Sequence, residues 1–320
     1  MEYVNKKIEK LVNHLSSKRI CLVSHVHPDG DAVGSVIGFS LFLKNMGYNV
    51  RGFLKDGIPY QYTFLYGREL IEKKLTTEGS DVCILLDASE FSRTGFEKPD
   101  IPIIRIDHHK TGEIYSEYDI VETKSPATVS LVLALCKKWD ERYIDENVAR
   151  AFYTGLLTDT VSFLHANLFT WAFQDALYLS QRAHIDDIGF LVYERKRKSF
   201  YALLMRALKR LSFDFNDKLA YTFIKNEDFK ETNANGEDTD GIVRHVVSID
   251  GVEVGVNFIE YEKGIWKVSA RGKGKVDLAL LCGEFGGGGH KNAAGCSIEG
   301  RLEEVIAAFK KVFRRWEEYL

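Results

Sequence analysis

Three short apolar runs in this chain each end abruptly in acid or imidazole. Residues 20–24 lead into Ser24-His25-Val26-His27-Pro28-Asp29-Gly30-Asp31, residues 82–86 stop at Asp87, and residues 101–106 stop at Asp107-His108-His109. Runs of this length, rich in Val, Ile and Leu and separated by helix-length segments, read as buried strands of βαβ units. A fourth run covers 50–54. The segment between it and the first, 31–46, has helical character and is closed by Gly47. Parallel strands joined by crossovers bring their C-terminal ends to one sheet edge, where open α/β sheets put their sites. Asp29, Asp31, Asp87, Asp107, His108 and His109 are therefore expected to converge. Carboxylates gathered in one place repel one another and resist desolvation unless cations neutralise them. Asp159, after the helical stretch 145–158, is a further candidate.

Composition limits the partners. The 320 residues suggest about two domains at ~150 residues each. A content of 45% hydrophobic and 28% charged residues is that of a folded globular protein. The formal net charge of -3 supplies no global basic field for holding long nucleic acid, which leaves short anions bound in a local cleft. The five cysteines are odd in number, lack CxxC spacing and read as small buried hydrophobes in a reducing compartment. The first residues have no signal-peptide character, and no apolar stretch approaches the ~18 residues that span a bilayer. A cytoplasmic protein without a membrane partner is expected.

The rest of the chain alternates in character. A helical stripe carries Val4, Ile8, Leu11, Val12 and Leu15. Ser125 and Pro126 read as the N-cap and first residue of a helix running to about 139, and 171–182 reads as another. Segment 186–212 is expected to be a helical connector. Its basic run Arg195-Lys196-Arg197-Lys198 reads as a solvated face or as a guide for an anionic substrate. Strand-like alternation follows at 218–224, 252–260 and 265–271. The acidic stretch 226–240 between them is expected to be a surface loop, with a helix from Gly241. A helix over 276–285 precedes four glycines. The final segment is amphipathic, a packed helix with a homodimer interface as the alternative. The expected fold is α/β. It comprises an N-terminal domain, 1–185, with a mainly parallel sheet flanked by helices, the linker 186–212, and a smaller α+β domain, 213–320.

Five segments in this order resemble the DHH phosphoesterase superfamily, in particular the DHH–DHHA1 proteins. They are Ser24-His25-Val26-His27-Pro28-Asp29-Gly30-Asp31, Leu86-Asp87-Ala88-Ser89, Ile106-Asp107-His108-His109, Gly155-Leu156-Leu157-Thr158-Asp159-Thr160 and Gly286-Gly287-Gly288-Gly289-His290-Lys291-Asn292-Ala293-Ala294-Gly295. The resemblance implies two divalent cations. One would be bound by His25, Asp29 and Asp87, the other by Asp31, Asp87, His108 and Asp159, with Asp87 bridging. The mixed donor set suits Mn²⁺ best, with Mg²⁺, Co²⁺ or Zn²⁺ as substitutes. Asp107 is expected to orient an imidazole. His27 is left with a supporting or substrate-facing role, or none.

The same resemblance implies a hydrolase of phosphoester bonds in which His109 faces the phosphate and acts on the transition state or leaving oxygen. Arg93 stands where relatives carry an arginine, which contacts phosphate or forms a surface ion pair. Arg271, Gly287, Gly288, Gly289 and His290 would bind substrate in the second domain, although Gly272-Lys273-Gly274-Lys275 departs from the family pattern. The implied substrates are very short nucleotides: RNA of two to five nucleotides, pApA and 3′,5′-bisphosphate nucleotide (pAp). The alternatives are a cyclic di-AMP phosphodiesterase, a manganese-dependent inorganic pyrophosphatase and a non-catalytic nucleotide sensor.

Overall fold

The computed structural model describes residues 2–164 and 169–319 and divides the chain into two compact units between Arg195 and Lys196. The first unit contains helix α1 (Glu2–Leu15), strand β1 (Ile20–Val23), α2 (Gly30–Asn45), β2 (Val50–Phe53), β3 (Ile71–Glu72), β4 (Val82–Leu86), β5 (Ile103–Asp107) and β6 (Ile120–Val121). Helices α3 (Thr128–Asp140), α4 (Glu146–Asp159) and α5 (Phe169–Ser180) follow. All six strands are parallel, in the order β3-β2-β1-β4-β5-β6. Strand order reverses between β1 and β4, and ligand sites in open parallel sheets form outside the C-terminal ends at such a switch point.

Both faces of this sheet are covered, as parallel sheets require. Along β1, Ile20 and Leu22 pack into the large cluster shared with the helices. Cys21 and Val23 point the other way, into a smaller cluster with Phe53, Cys83, Leu85 and Phe91. All five cysteines are buried and free.

Close approach of two helices builds part of the site. A β-carbon added to Gly30 would lie 2.2 Å from the Thr158 hydroxyl, and one on Gly34 would lie 2.5 Å from the Ala151 carbonyl. Glycine spaced four residues apart on α2 therefore lets α4 lie directly against it. The contact brings Asp159, the last residue of α4, toward Asp31 in the first turn of α2.

The start of α3 corrects an expectation. The helix begins at Thr128, and the Ser125 hydroxyl bonds to the Ala127 carbonyl instead of capping the helix. The cap comes from a distant residue. Asp31 accepts hydrogen bonds from the backbone amides of Thr128 at 2.6 Å and Val129 at 2.9 Å.

The second unit contains α6 (Lys198–Lys209), β7 (Ser212–Asp214), β8 (Leu219–Ile224), α7 (Asn226–Thr232), α8 (Ile242–Val247), β9 (Val254–Glu262), β10 (Ile265–Gly272), α9 (Leu278–Gly283), β11 (Gly288–His290), β12 (Ala293–Glu299) and α10 (Leu302–Phe313). Its sheet is mixed, in the order β11-β12-β10-β9-β8-β7 with β8 and β9 parallel. Trp266, Val268 and Ala270 alternate into a core closed by Leu278, Val305 and Phe309. Among the described residues, no helix is long and apolar enough to cross a membrane.

Two stretches differ from their sequence reading. Segment 186–212 is shared between the units. Arg195 bonds to the Tyr60 carbonyl at 3.0 Å in the first unit, while Arg197 pairs with Asp238 at 2.8 Å in the second. The acidic stretch 226–240 is partly helical. The buried Asp228 accepts from the Lys225 amide at 2.7 Å and pairs with Arg206 of α6 and with Arg210 just after it, so its charge caps α7 and ties it down.

Candidate metal centre

Strand ends and helix starts position the polar groups. Beyond β1, Asp29 is the N-cap of α2, and its Oδ1 accepts from the amides of Asp31 and Ala32, both at 3.0 Å. That use of one oxygen leaves Oδ2 available as a donor. His25 is fixed by a 2.8 Å contact between Nδ1 and the Val26 carbonyl, and its Nε2 lies 3.6 Å from Asp87 Oδ2. Asp87, just past β4, is buried and held at φ 53°, a left-handed conformation uncommon for non-glycine residues. Thr128 donates its hydroxyl to Asp87 Oδ1 at 3.0 Å. His108 Nε2 lies 3.8 Å from Asp87 and 3.6 Å from Asp159.

Three donor groups result. His25, Asp29 and Asp87 form one, Asp31, His108 and Asp159 a second, and Asp87, His108 and His109 a third, each with its ligand atoms within 4.8 Å of one another. Asp87 thus stands in two of the groups and His108 in two.

Electrostatics fits the donor set to divalent cations. Burial pushes the Asp87 carboxyl well above its usual range, and the neighbouring carboxylates Asp31, Asp29 and Asp159 push it further. Burial raises Asp159, and Asp31, Asp29 and Asp107 push it further. Burial also raises Asp31, against the pull of His108. Among the described residues, no Lys or Arg lies within 4.0 Å of these acids. Mixed nitrogen and oxygen donors with uncompensated negative charge match first-row divalent ions.

A second layer behind the candidate ligands organises the imidazoles. Asp107 is fully buried. Its Oδ1 accepts from His109 Nδ1 at 2.7 Å and from the His108 amide at 2.8 Å. Burial alone would raise its pKa, but His109 and Arg105 outweigh this and hold it at about 2. The bond to Asp107 raises the pKa of His109. The buried Arg105 grips Asp107 Oδ2 and also donates to the carbonyls of Ala88 at 3.1 Å and Thr111 at 2.7 Å. It ties the loop after β4 to the loop after β5, the two loops that carry Asp87 and His108. Sequence reading passed over Arg105; the available signal was a guanidinium inside the otherwise apolar Ile103-Ile104-Arg105-Ile106.

The remaining expected residues lie elsewhere. His27 is exposed and pairs with Asp56 at 3.2 Å, outside all three donor groups. Arg93 sits in the 3-10 turn Phe91–Thr94, where its carbonyl accepts the Val26 amide at 2.9 Å. Arg271 is the penultimate residue of β10, and burial followed by the nearby Arg244 lowers its pKa. The glycines are more ordered than a loop. Gly288, Gly289 and His290 form edge strand β11, paired with Gly295, Ala294 and Ala293. A β-carbon on Gly287 would lie 2.2 Å from the Gly295 carbonyl, and one on Gly289 2.5 Å from the Ala293 carbonyl. Close strand packing is thus one reason for glycine here.

Fold and cluster together define a two-unit α/β protein with a carboxylate–imidazole centre at the switch point of a parallel sheet. The model of the DHH family N-terminal domain matches residues 19–156, and that of the DHHA1 domain matches 216–317. The chain belongs to the DHH–DHHA1 family and is a phosphoester hydrolase.

The chain is 27% identical over 305 residues to the bifunctional oligoribonuclease and PAP phosphatase NrnA of Thermus thermophilus, covering 94% of this chain and 90% of the relative. It is 26% identical over 284 residues to the protein of the same name from Bacillus subtilis, covering 87% and 89%. The crystal structure of an exopolyphosphatase-related protein from Bacteroides fragilis superposes with a TM-score of 0.86 at 25% identity, over 98% of this chain and 97% of that one.

Arg105 yields a prediction. Arg105→Met would leave Asp107 buried without its guanidinium partner, a change of the kind that costs about 3–5 kcal/mol. Loss of an orienting outer partner lowers metal-site activity about 10–100-fold. Kinetics and thermal unfolding of the variant should show kcat falling within that range with a smaller change in KM, and Arg105→Lys recovering part of both losses. Unchanged kcat in Arg105→Met would remove its positioning role.

Proposed function

We propose that this protein is a divalent-metal-dependent phosphodiesterase and phosphatase acting on very short nucleotides: pAp, pApA and RNA of two to five nucleotides. The observation that carries the reading is the pair of donor groups meeting at Asp87, His25/Asp29/Asp87 and Asp87/His108/His109, with Asp31 and Asp159 grouped around the same His108. In this reading His25, Asp29 and Asp87 hold one ion, Asp31, Asp87, His108 and Asp159 hold the other, and Mn²⁺ is the preferred metal. When bound, the ions acidify a water and polarise phosphoryl oxygens.

The protein's own groups do the rest. His109 is held through Nδ1 by Asp107, which leaves Nε2 for the substrate. Its raised pKa favours the protonated form, suited to donating a proton to the leaving oxygen or stabilising charge on the phosphoryl group. Arg93 contributes a phosphate contact. Arg271, Gly287, Gly288, Gly289 and His290 hold the rest of the nucleotide. The names of the Thermus and Bacillus relatives, oligoribonuclease and PAP phosphatase, support this substrate class.

The test is a set of initial rates with Mn²⁺ on pAp, pApA, cyclic di-AMP, a 5-mer RNA, a 24-mer RNA and pyrophosphate. Rates on pAp, pApA and the 5-mer should exceed those on the 24-mer and pyrophosphate by roughly tenfold or more, since a 10-fold rate difference needs only about 1.4 kcal/mol of discrimination. A dominant pyrophosphate or cyclic di-AMP rate would replace this reading with the corresponding alternative. No turnover of any compound would favour a sensor.

A further inference from the structure

A basic cavity lies apart from the donor groups described above. Lys55 follows the C-terminal end of β2, and Lys73 and Lys74 follow that of β3, on the same sheet edge that carries His25 and Asp87. With Lys98 they line a cavity of about 460 Å³. That volume lies within the range of small-molecule sites. Leu75 and Phe96, both half-buried, supply an apolar wall.

The positive charge there is not neutralised internally. Among the described residues, no carboxylate lies within 4.0 Å of the four ammonium groups. The nearby acids are engaged elsewhere: Glu72 pairs with Arg51 at 3.0 Å and Asp56 with His27 at 3.2 Å. Glu97 is the single acid in the lining. Like charges around a cavity repel one another, and an anion relieves the repulsion.

One lining residue, Lys55, connects the cavity to the metal-centre loop through Gly95. Gly95, at φ 69°, lies between Lys55, whose ammonium donates to the Gly95 carbonyl, and Val26, which sits between His25 and His27. A β-carbon at Gly95 would be 2.7 Å from Val26 and 2.9 Å from the Lys55 side chain.

We propose that this cavity binds a nucleoside phosphate, with its phosphates among Lys55, Lys73 and Lys74 and its base against Leu75 and Phe96. The occupant is a free nucleotide or the distal nucleotide of an oligonucleotide. Binding needs no metal, so this site can be tested independently of the activity proposed above.

Calorimetric titration of ADP into full-length protein in EDTA provides the test. An Arg271→Ala/His290→Ala background removes the side-chain nucleotide contacts proposed for the second unit. ADP should still bind in that background. Lys73→Glu/Lys74→Glu should weaken it about tenfold or more, Lys73→Gln/Lys74→Gln less, and Phe96→Ala should also weaken it. Absence of binding in the background protein, or equal affinity in the charge-reversed variant, overturns the proposal. Kinetics with Mn²⁺ then separates the two occupants. Where ADP binding is lost on charge reversal, a raised KM for the 5-mer with little change for pAp identifies the distal nucleotide. An unchanged KM for both identifies a free nucleotide.

Discussion

Replacing Asp87 by alanine is expected to cut phosphoester hydrolysis by on the order of 10³-fold or more. The estimate follows from scale: loss of one outer-shell partner of a metal ligand costs about 10–100-fold, and Asp87 stands in two donor groups at once. Its environment is built to hold a carboxylate there. The backbone takes a left-handed conformation at φ 53°, and Thr128 donates to Oδ1 at 3.0 Å. Steady-state rates with excess Mn²⁺ check the effect. Asp87→Asn keeps shape and removes charge, so a comparable loss would assign the effect to charge and not to packing. Residual activity within tenfold of the parent protein would remove Asp87 from the centre.

Stability of the metal-free protein should fall as pH rises from about 4 toward and beyond neutrality, and divalent metal should restore it. Burial and mutual repulsion raise the folded-state pKa of Asp87, Asp159 and Asp31. An unfolded Asp titrates near 3.9. Between that value and the raised values, the native state binds more protons than the unfolded state, so stability declines with increasing pH. The contribution is fully present below about pH 4 and is lost as pH passes through the folded values. Asp107 works in the opposite sense over a lower window. Its folded pKa of about 2 adds stability above about pH 4 that is lost on acidification toward 2. Saturation with metal at 100 times Kd adds about 2.7 kcal/mol per site, on the order of 5–10 °C in Tm for a unit of this size. Scanning calorimetry in EDTA and in Mn²⁺ across pH 5–8 checks both effects, with the metal-dependent gain expected to grow with pH. Asp87→Asn should flatten the pH dependence in EDTA and shrink the gain in Mn²⁺. A pH-independent Tm in EDTA together with no response to metal would contradict this electrostatic reading.

The sequence was most legible where a feature depends on local pattern. The runs at 20–24, 50–54 and 82–86 became β1, β2 and β4 within a residue at each end, because buried parallel strands are continuous apolar runs. The two-residue strands β3 and β6 left no such trace, since each is defined only by pairing to a neighbour already in place. Long-range hydrogen bonds account for other differences. Ser125 is a good local cap, yet Asp31 caps α3 from 97 residues away. The acidic stretch 226–240 has turn-like composition, but Arg206 and Arg210 bind Asp228 and permit α7. The four glycines carry no strand pattern in sequence; close packing on β12 makes two of them part of an edge strand.

The candidate site divides in the same way. His25, Asp29, Asp31, Asp87, His108 and Asp159 were readable because each terminates a strand or borders a helix, and the structure brings them into adjoining groups. His27 looked equivalent to His25 in sequence, but its left-handed backbone and the bond to Asp56 turn it to solvent. Arg105 stands out in sequence only as a charge inside an apolar strand, because its role depends on loops that follow two different strands.

Metal content measures the central claim most directly. Protein dialysed against Mn²⁺, freed of unbound ion and analysed by plasma mass spectrometry should carry two ions per chain, and Asp87→Ala no more than one. A chain that retains no manganese, or an Asp87→Ala protein that still holds two, would contradict a centre joined through Asp87.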